Sequence, residues 1–326
     1  MTVDTQILAA LRGNGAAGIA GTELAQQLGI SRAAVWARVS ELRALGYDIE
    51  ASPHLGYRLL GVPDLLHADD LLSRLGATQI IGRDIRVFEE TTSTNDVVEK
   101  LARDGVKEGA VVFAESQTKG RGRLGRKWLS PARKGLWFSV LLRPPLHPLA
   151  ATQLTVAGAI ALFRAIRLQT GLVPGIKWPN DILLRGKKTA GILTEMSAEP
   201  DKVKHIVLGM GVDVNITAAE FPVELRKIAT SLRVETGQRL DRAELAVRIL
   251  QELDRVYGLI CKGKFETVAD EWEENCLTIG ERVTVRFGER MIQGRAESLD
   301  PDGALLLRTQ HGHLERIIGG DVTVEK

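Results

Sequence analysis

Apolar residues recur at helical spacing three times in the first sixty positions. Residues 5–11 read as a short helix, GTELAQQLGI (21–30) as a second and SRAAVWARVSELRALG (31–46) as a third. The third stacks Val35, Val39, Leu42 and Leu45 on one face, with Ser31 placed to cap its start and Gly46 just past its end. Arg32, Trp36 and Arg43 fall on the opposite face. A helix, a tight turn at Gly29 and a second helix that opens on small and basic residues make the helix-turn-helix pattern. YDIEA (47–51) and YRLL (57–60) then alternate as a two-stranded wing turning at Gly56. Residues 1–62 therefore predict a winged helix-turn-helix DNA-binding domain. In it Ser31, Arg32, Ala33, Trp36, Arg38, Arg43 and Arg58 lie where bases or phosphates would be met. The competing reading is a helical bundle that binds protein or nothing, since Asp4, Glu23, Glu41, Asp48 and Glu50 balance the arginines.

From residue 63 the pattern mixes two periods. IRVFEE (85–90), AVVFAE (110–115), LWFSVLL (136–142), IKW (176–178), DILL (181–184), TAGILTEMSA (189–198) and HIVLGMGV (205–212) have strand character. Helical spacing runs over residues 95–103, 152–169 and 242–261. Residues 63–275 thus predict an α+β domain with a mixed sheet and helices packed on one face. Residues 276–326 change character again. Five short strands with Gly or Asp-Gly turns predict a small, SH3-like β-barrel, so the whole chain reads as a multidomain α+β protein.

The 326 residues and an apolar share of 44% suit several cores. No run approaches the roughly 18 to 20 apolar residues of a membrane span, and the first residues lack the pattern of a signal peptide. The expectation is a soluble cytoplasmic protein with no membrane partner. Cys261 and Cys276 stand alone, and the six histidines show no H-E-x-x-H spacing, so no dedicated metal site is expected. Net charge is only +2, yet no acid lies between Glu115 and Asp181, where eleven cations do: Lys119, Arg121, Arg123, Arg126, Lys127, Arg133, Lys134, Arg143, Arg164, Arg167 and Lys177. A block of one sign in a near-neutral protein points to an anionic ligand, with a solvated basic face as the plain alternative.

Within that block GRGRLGRKW (120–128) satisfies G-x-G-x-x-G. A dinucleotide fold would also need a helix opening from the loop and an acid about 20 residues on. Here Pro131 and Gly135 break the following segment and no acid comes before Asp181. A P-loop fails too, because Arg126-Lys127-Trp128 stands where Gly-Lys-Ser/Thr is required. What remains is a flexible basic loop whose arginines can fork onto carboxylate or phosphate oxygens. KWPNDILLRGKKTAGIL (177–193) folds as a hairpin that brings Lys188 beside Ala190-Gly191, with Lys187 as a neighbouring candidate. TTSTN (91–95) can place hydroxyls and an amide at a helix N-terminus, a cradle for an anion.

With TTSTN, AESQTKGRGRLGRKW (114–128), KWPND (177–181), KTAGIL (188–193) and GMGVDVN (209–215) in this order, the chain resembles the biotin protein ligases, in the form that also represses the biotin operon. The resemblance covers essentially the whole chain. It implies an ATP-dependent, AMP-forming ligase that makes biotinyl-5'-adenylate and passes biotin to a lysine of the biotin carboxyl carrier protein of acetyl-CoA carboxylase or a related carboxylase. It implies that Ser93, Thr94, Asn95, Gln117, Arg121, Gly122, Arg123, Lys188 and Gly191 hold biotin. Arg121, Trp128, Lys177, Asn180, Asp181 and Asp213 would serve ATP or the adenylate, with Mg2+ carried on the phosphates. Lys188, Arg121, Arg123 and Asp181 become the catalytic candidates, Asp181 as a base for the acceptor lysine. Asp213 departs from the family, which usually shows Asn there. Operator DNA and a ligand-promoted homodimer complete the implied partners. A lipoate or octanoate ligase, and a sensor that binds biotin and DNA without ligating, are the alternatives.

Overall fold

The three amphipathic segments form α1 (Val3–Asn14), α2 (Gly21–Leu28) and α3 (Arg32–Ala44) in a computed structural model that describes residues 2–324. Ile7, Leu8, Leu11, Leu24, Val35, Val39 and Leu42 bury together with Tyr47 and Ile49. Gly29 closes α2 in the left-handed region (φ 65), and the Ser31 hydroxyl accepts from the Ala34 N–H at 3.2 Å, as an N-cap does. Leu45 departs from expectation: it is 44% exposed, because α3 ends one residue before it and the chain turns away. β1 (Asp48–Ser52) and β2 (Gly56–Gly61) form the antiparallel wing. The first compact unit ends at Ala77 rather than at the wing, for it takes in α4 (Ala68–Leu75), a helix the apolar spacing does not announce. Buried Asp70 anchors α4, bonding Arg12 of α1 and, at 3.0 Å, Arg74.

The second unit begins at Thr78. Its central sheet joins β3 (Asp84–Thr91), β4 (Ala110–Gln117), β5 (Gly135–Leu142), β6 (Gly175–Lys177), β7 (Asp181–Leu184), β8 (Lys187–Ala198) and β9 (Val203–Asp213), in the order β3-β4-β5-β9-β8-β7-β6. Only β3 and β4 run parallel, so the sheet is mixed. Helices cover both faces, not the single face expected. Val207 packs with α5 (Thr94–Arg103), whereas the adjacent Leu208 lies beside Gly158 of α6 (Thr152–Thr170). Consecutive strand residues point to opposite faces, which places the two helices on opposite sides. The short α7 (Leu232–Thr236) is followed by α8 (Arg242–Cys261) and α9 (Phe265–Glu274), both packed against α6. The segment Pro148–Thr170 is long and apolar enough to cross a membrane, but 72% of its apolar window is buried inside the fold.

The C-terminal strands β10 (Arg282–Phe287), β11 (Arg290–Leu299), β12 (Leu305–Thr309), β13 (Leu314–Ile317) and β14 (Asp321–Val324) form an antiparallel sheet in the order β13-β12-β11-β10-β14. Val283, Val285, Ala296, Leu305 and Leu307 give it a buried face. The barrel is not closed by strand pairing: β13 and β14 remain separate edges among the described residues.

One buried ion pair ties α8 to the sheet. The Arg242 guanidinium meets Glu115 at 2.5 and 3.2 Å and the Gly135 carbonyl at 3.2 Å, with the two side chains 1% and 3% exposed. Removing one member would strand the other charge in the interior, a loss of about 3–5 kcal/mol. We predict that Arg242→Met lowers the unfolding free energy from urea denaturation by that amount, and that adding Glu115→Leu recovers much of it. Equal midpoints for Arg242→Met and wild type would disprove the coupling.

Candidate active site

The glycine-arginine stretch leaves β4 and returns to β5 with no α-helix between them, only a single 3-10 turn at Arg123–Gly125. Its base is closed by Trp128 N–H donating to the Gly120 carbonyl at 2.9 Å and Gly122 N–H to the Arg126 carbonyl at 2.6 Å. Leu124 (φ 56) turns the tip in the left-handed region and is 69% exposed.

At the end of this loop the Trp128 indole lies on two glycines. A Cβ on Gly211 of β9 would stand 2.5 Å from Trp128 Nε1, and one on Gly191 of β8 would stand 3.0 Å from Cζ3. Those strands pair Gly191 with Gly211, so the ring covers a patch of bare backbone. The Lys188 ammonium is held 5.0 Å from the centre of the ring and 2.5 Å from Asp181 Oδ1. The Lys188 backbone is pinned by the Ile228 carbonyl at 2.8 Å and the Thr230 N–H at 2.9 Å. Lys187 points elsewhere and bonds the Arg226 carbonyl.

Over this floor opens a cavity of about 540 Å³. Every residue the sequence proposes for biotin or ATP lines it. The polar end comes from the start of α5 and from β4. Gln117 Oε1 accepts from the Thr94 N–H at 2.9 Å, and Gln117 Nε2 donates to Ser130 Oγ at 2.9 Å. The Thr94 hydroxyl is 2.7 Å from that of Ser139. Ser93 occupies the N-cap of α5 without using its hydroxyl as a cap, which leaves a buried Oγ at the cavity wall. Asn95 is different: its amide donates to Glu195 at 2.6 Å and accepts from Ser139 at 2.5 Å, so it serves the frame.

The cations divide in the same way. Arg123 enters the cavity beside Asn180, 3.4 Å from its Oδ1, and burial lowers its pKa against the opposing pull of Asp181 and Asp321. Arg121 also lines the cavity, but its guanidinium bonds Asp96 at 2.7 Å and Glu195 at 3.4 Å. Desolvation lowers its pKa, and these acids outweigh that and raise it. Asn180 itself is fixed by donating to the Ile192 carbonyl at 2.7 Å. Lys177, paired in register with Asp181, lines the same wall, as does Asp213. Other members of the acid-free block are structural. Arg133 bonds Glu89, Lys134 bonds Glu220, Arg164 bonds Glu252 and Glu271, and Arg143 reaches three backbone carbonyls. No group of three His, Cys, Asp or Glu side chains suited to a metal ion occurs among the described residues.

Sequence reasoning misses five contributors. Asp96 and Glu195 hold Arg121 from 25 and 74 positions away, and Gly320, Asp321 and Val322 close one wall from the C-terminal sheet. Nothing in the local pattern marks them. In the first unit, Ser31, Arg32, Ala33 and Trp36 are exposed on α3, Trp36 by 61%. Arg38, Arg43 and Arg58 are engaged with Glu41, the Ile49 carbonyl and Glu50.

The sequence model of the Biotin/lipoate A/B protein ligase family matches residues 87–213, that of an HTH domain residues 4–58, and that of the Biotin protein ligase C terminal domain residues 278–324. The bifunctional ligase/repressor BirA of Bacillus spizizenii is 38% identical over 305 residues, 93% of each chain. The chain belongs to the biotin protein ligase family. The bifunctional ligase/repressor BirA of Escherichia coli is 33% identical over 93% of this chain and 92% of its own. Among solved biotin protein ligases, that of Aquifex aeolicus in complex with biotin and ATP superposes with a TM-score of 0.64 at 32% identity, over 75% of this chain and 99% of its own. Most of the residues lining the cavity lie within the stretch matched by the Biotin/lipoate A/B protein ligase family model.

A methyl on Gly211 must displace the indole, and overpacking of this kind costs about 1–3 kcal/mol. We predict that Gly211→Ala destabilises the protein by that amount but costs little in a Trp128→Ala background. A double-mutant cycle by urea denaturation measures it, and additive losses would show that the ring does not rest there.

Proposed function

We propose that this chain is a biotin protein ligase that activates biotin with MgATP and transfers it to a carrier-protein lysine, and that it doubles as a biotin-responsive repressor. The observation that carries the reading is the meeting of Arg123, Lys177 and Lys188 with the closed polar end at Ser93, Thr94 and Gln117 in one cavity. A ligand with a hydrogen-bonding head and an anionic tail fits that division.

In the first step the biotin carboxylate attacks the α-phosphorus of ATP and pyrophosphate leaves. Two anions must approach, so the step needs cations placed before the reaction begins. Lys188, steadied by Asp181 and the Trp128 face, supplies one at the cavity floor. Arg123 supplies a second, already stripped of much of its water, which strengthens its pull on a phosphate oxygen. Arg121 joins when a ligand anion draws it from Asp96 and Glu195. Magnesium enters bound to the nucleotide. In the second step the acceptor amine, with a free pKa of about 10.4, attacks the mixed anhydride, AMP leaves and a proton must be taken up. Asp181 is the cavity carboxylate proposed to receive it. The loop shields the anhydride from water between the two steps.

Mass spectrometry of the full chain with ATP, biotin and a biotin-carrier domain tests the reading. We predict that the carrier gains one biotin, and that biotin-dependent ATP–pyrophosphate exchange falls by roughly 100-fold or more in Lys188→Ala and Arg123→Ala. Asp181→Asn should slow transfer from preformed adenylate; full-rate transfer removes its role as base. Exchange supported by lipoate or octanoate and not by biotin would favour the lipoate-type reading, and no exchange with any acid would favour a sensor.

The repressor half rests on the winged helix, with exposed Ser31, Arg32, Ala33 and Trp36 reading bases and the wing near phosphates. Two half-sites call for a dimer. β7 pairs with β8 only as far as Gly191, so the outer edge of β8 from Leu193 to Ala198 has no strand beside it among the described residues. Glu195 on that stretch holds the loop through Arg121, which links ligand capture to the edge. The reading places the protein in the cytoplasm, with its carrier, ATP and operator. We predict a shift from monomer to dimer in sedimentation when biotin and ATP are added together; one oligomer under all conditions would overturn the linkage.

A further inference from the structure

Asp213 stands at the end of β9 opposite Gly135 of β5 and, two residues on from Gly211, shares the cavity face of its strand. It is 6% exposed. Among the described residues no hydrogen bond supports its carboxyl, and the cation that acts on it is Lys188 of β8, whose ammonium already meets Asp181 of β7 at 2.5 Å. The nearest cation ahead of β5, Lys134, is taken by Glu220 at 2.7 Å. Arg123 of the loop is turned toward Asn180. An ionised carboxylate in this position would be buried without a counter-ion of its own. It would also face a ligand that is itself an anion.

We propose that Asp213 works on the nucleotide as an un-ionised carboxylic acid, offering an O–H donor and a carbonyl acceptor side by side as an asparagine amide would. The assignment rests on the ligase reading. Burial pushes the Asp213 carboxyl well above the ordinary carboxylate range, and Lys188 opposes this only in part. A carboxylic acid kept neutral in a dry site is an established kind of hydrogen-bond donor. It differs from an amide in one respect, that it can lose its proton. Below its raised pKa the donor is present. Above it the donor becomes a repelling charge.

The folded state holds this proton at a pH where the unfolded chain, with an ordinary aspartate pKa of about 3.9, has released it. Folding stability is therefore lost as pH rises from the unfolded pKa toward the folded one. Asparagine has no such loss.

The test compares full-length wild type, Asp213→Asn and Asp213→Ala. Urea denaturation from pH 5 to 9 should show wild-type stability falling relative to Asp213→Asn as pH rises. In biotin-dependent ATP–pyrophosphate exchange at pH 7, Asp213→Ala should raise the KM for ATP by roughly tenfold, and Asp213→Asn should recover most of that loss. The ratio of wild-type to Asp213→Asn KM should then grow by about tenfold per pH unit once the acid ionises. Parallel stability curves, or an Asn variant as impaired as the Ala variant, would overturn the proposal. If wild type shows no exchange at all, the ligase reading fails, while the stability curves still report whether Asp213 keeps its proton.

Discussion

The indole of Trp128 resting on bare backbone is the contact around which the site is organised. It needs two strands that carry no side chain at adjacent positions, and Gly191 and Gly211 meet that need as direct partners across β8 and β9. The ring then fixes the end of the arginine loop to the sheet and provides a face for the Lys188 ammonium. Because Trp128 also meets Trp137 edge-on at 6.5 Å, the floor is continuous with the buried cluster of Trp137, Ile216 and Phe221. The end of the loop is thereby held to the sheet, and the Lys188 ammonium stands on a packed floor.

Charge is handled by distance in sequence. The stretch from Ser116 to Asn180 holds no acid, yet several of its cations find acids from other elements: Arg164 from α8 and α9, Arg133 from β3, Lys134 from the segment after β9. An absence of local acids is therefore only half of what makes a site for anions. The other half is which cations the fold leaves facing the cavity. Arg123 and Lys177 meet that condition, and Lys188 meets it while keeping Asp181 as a steadying partner.

The elements were legible where the period was strong. The span 242–261 coincides with α8, and the cap at Ser31 and the turn at Gly29 follow from local chemistry that tertiary packing does not override. Helix α4 escaped because its buried face includes Asp70, a polar residue made welcome by Arg12 and Arg74 of the same unit. Covering of the sheet on both faces escaped because strands buried on both sides, such as LWFSVLL, carry no alternation to reveal it. In the site, the residues of the motifs meet in one cavity, but the motifs do not show the partner of each. Asn95 and Arg121 read alike as ligand groups, and only the positions of Glu195, Ser139 and Asp96 show that both are already held by neighbouring side chains.

How tightly the loop is held follows from where its contacts lie. Arg126 meets Asp321 at the start of β14 with side chains 66% and 41% exposed, and a pair so open to water contributes at most about 1 kcal/mol. Arg123, close enough to Gly319 that a Cβ there would stand 2.9 Å from its guanidinium, is the half-buried contact, and desolvation works against its charge. An anion in the cavity relieves that cost by giving the guanidinium a charged partner. The C-terminal sheet, fixed to α9 through β11 and through Leu299 N–H donating to Glu273 at 2.6 Å, is a firm wall for the loop to close on. On the proposed ligase reading, ligand charge adds what the loop's own contacts supply only weakly.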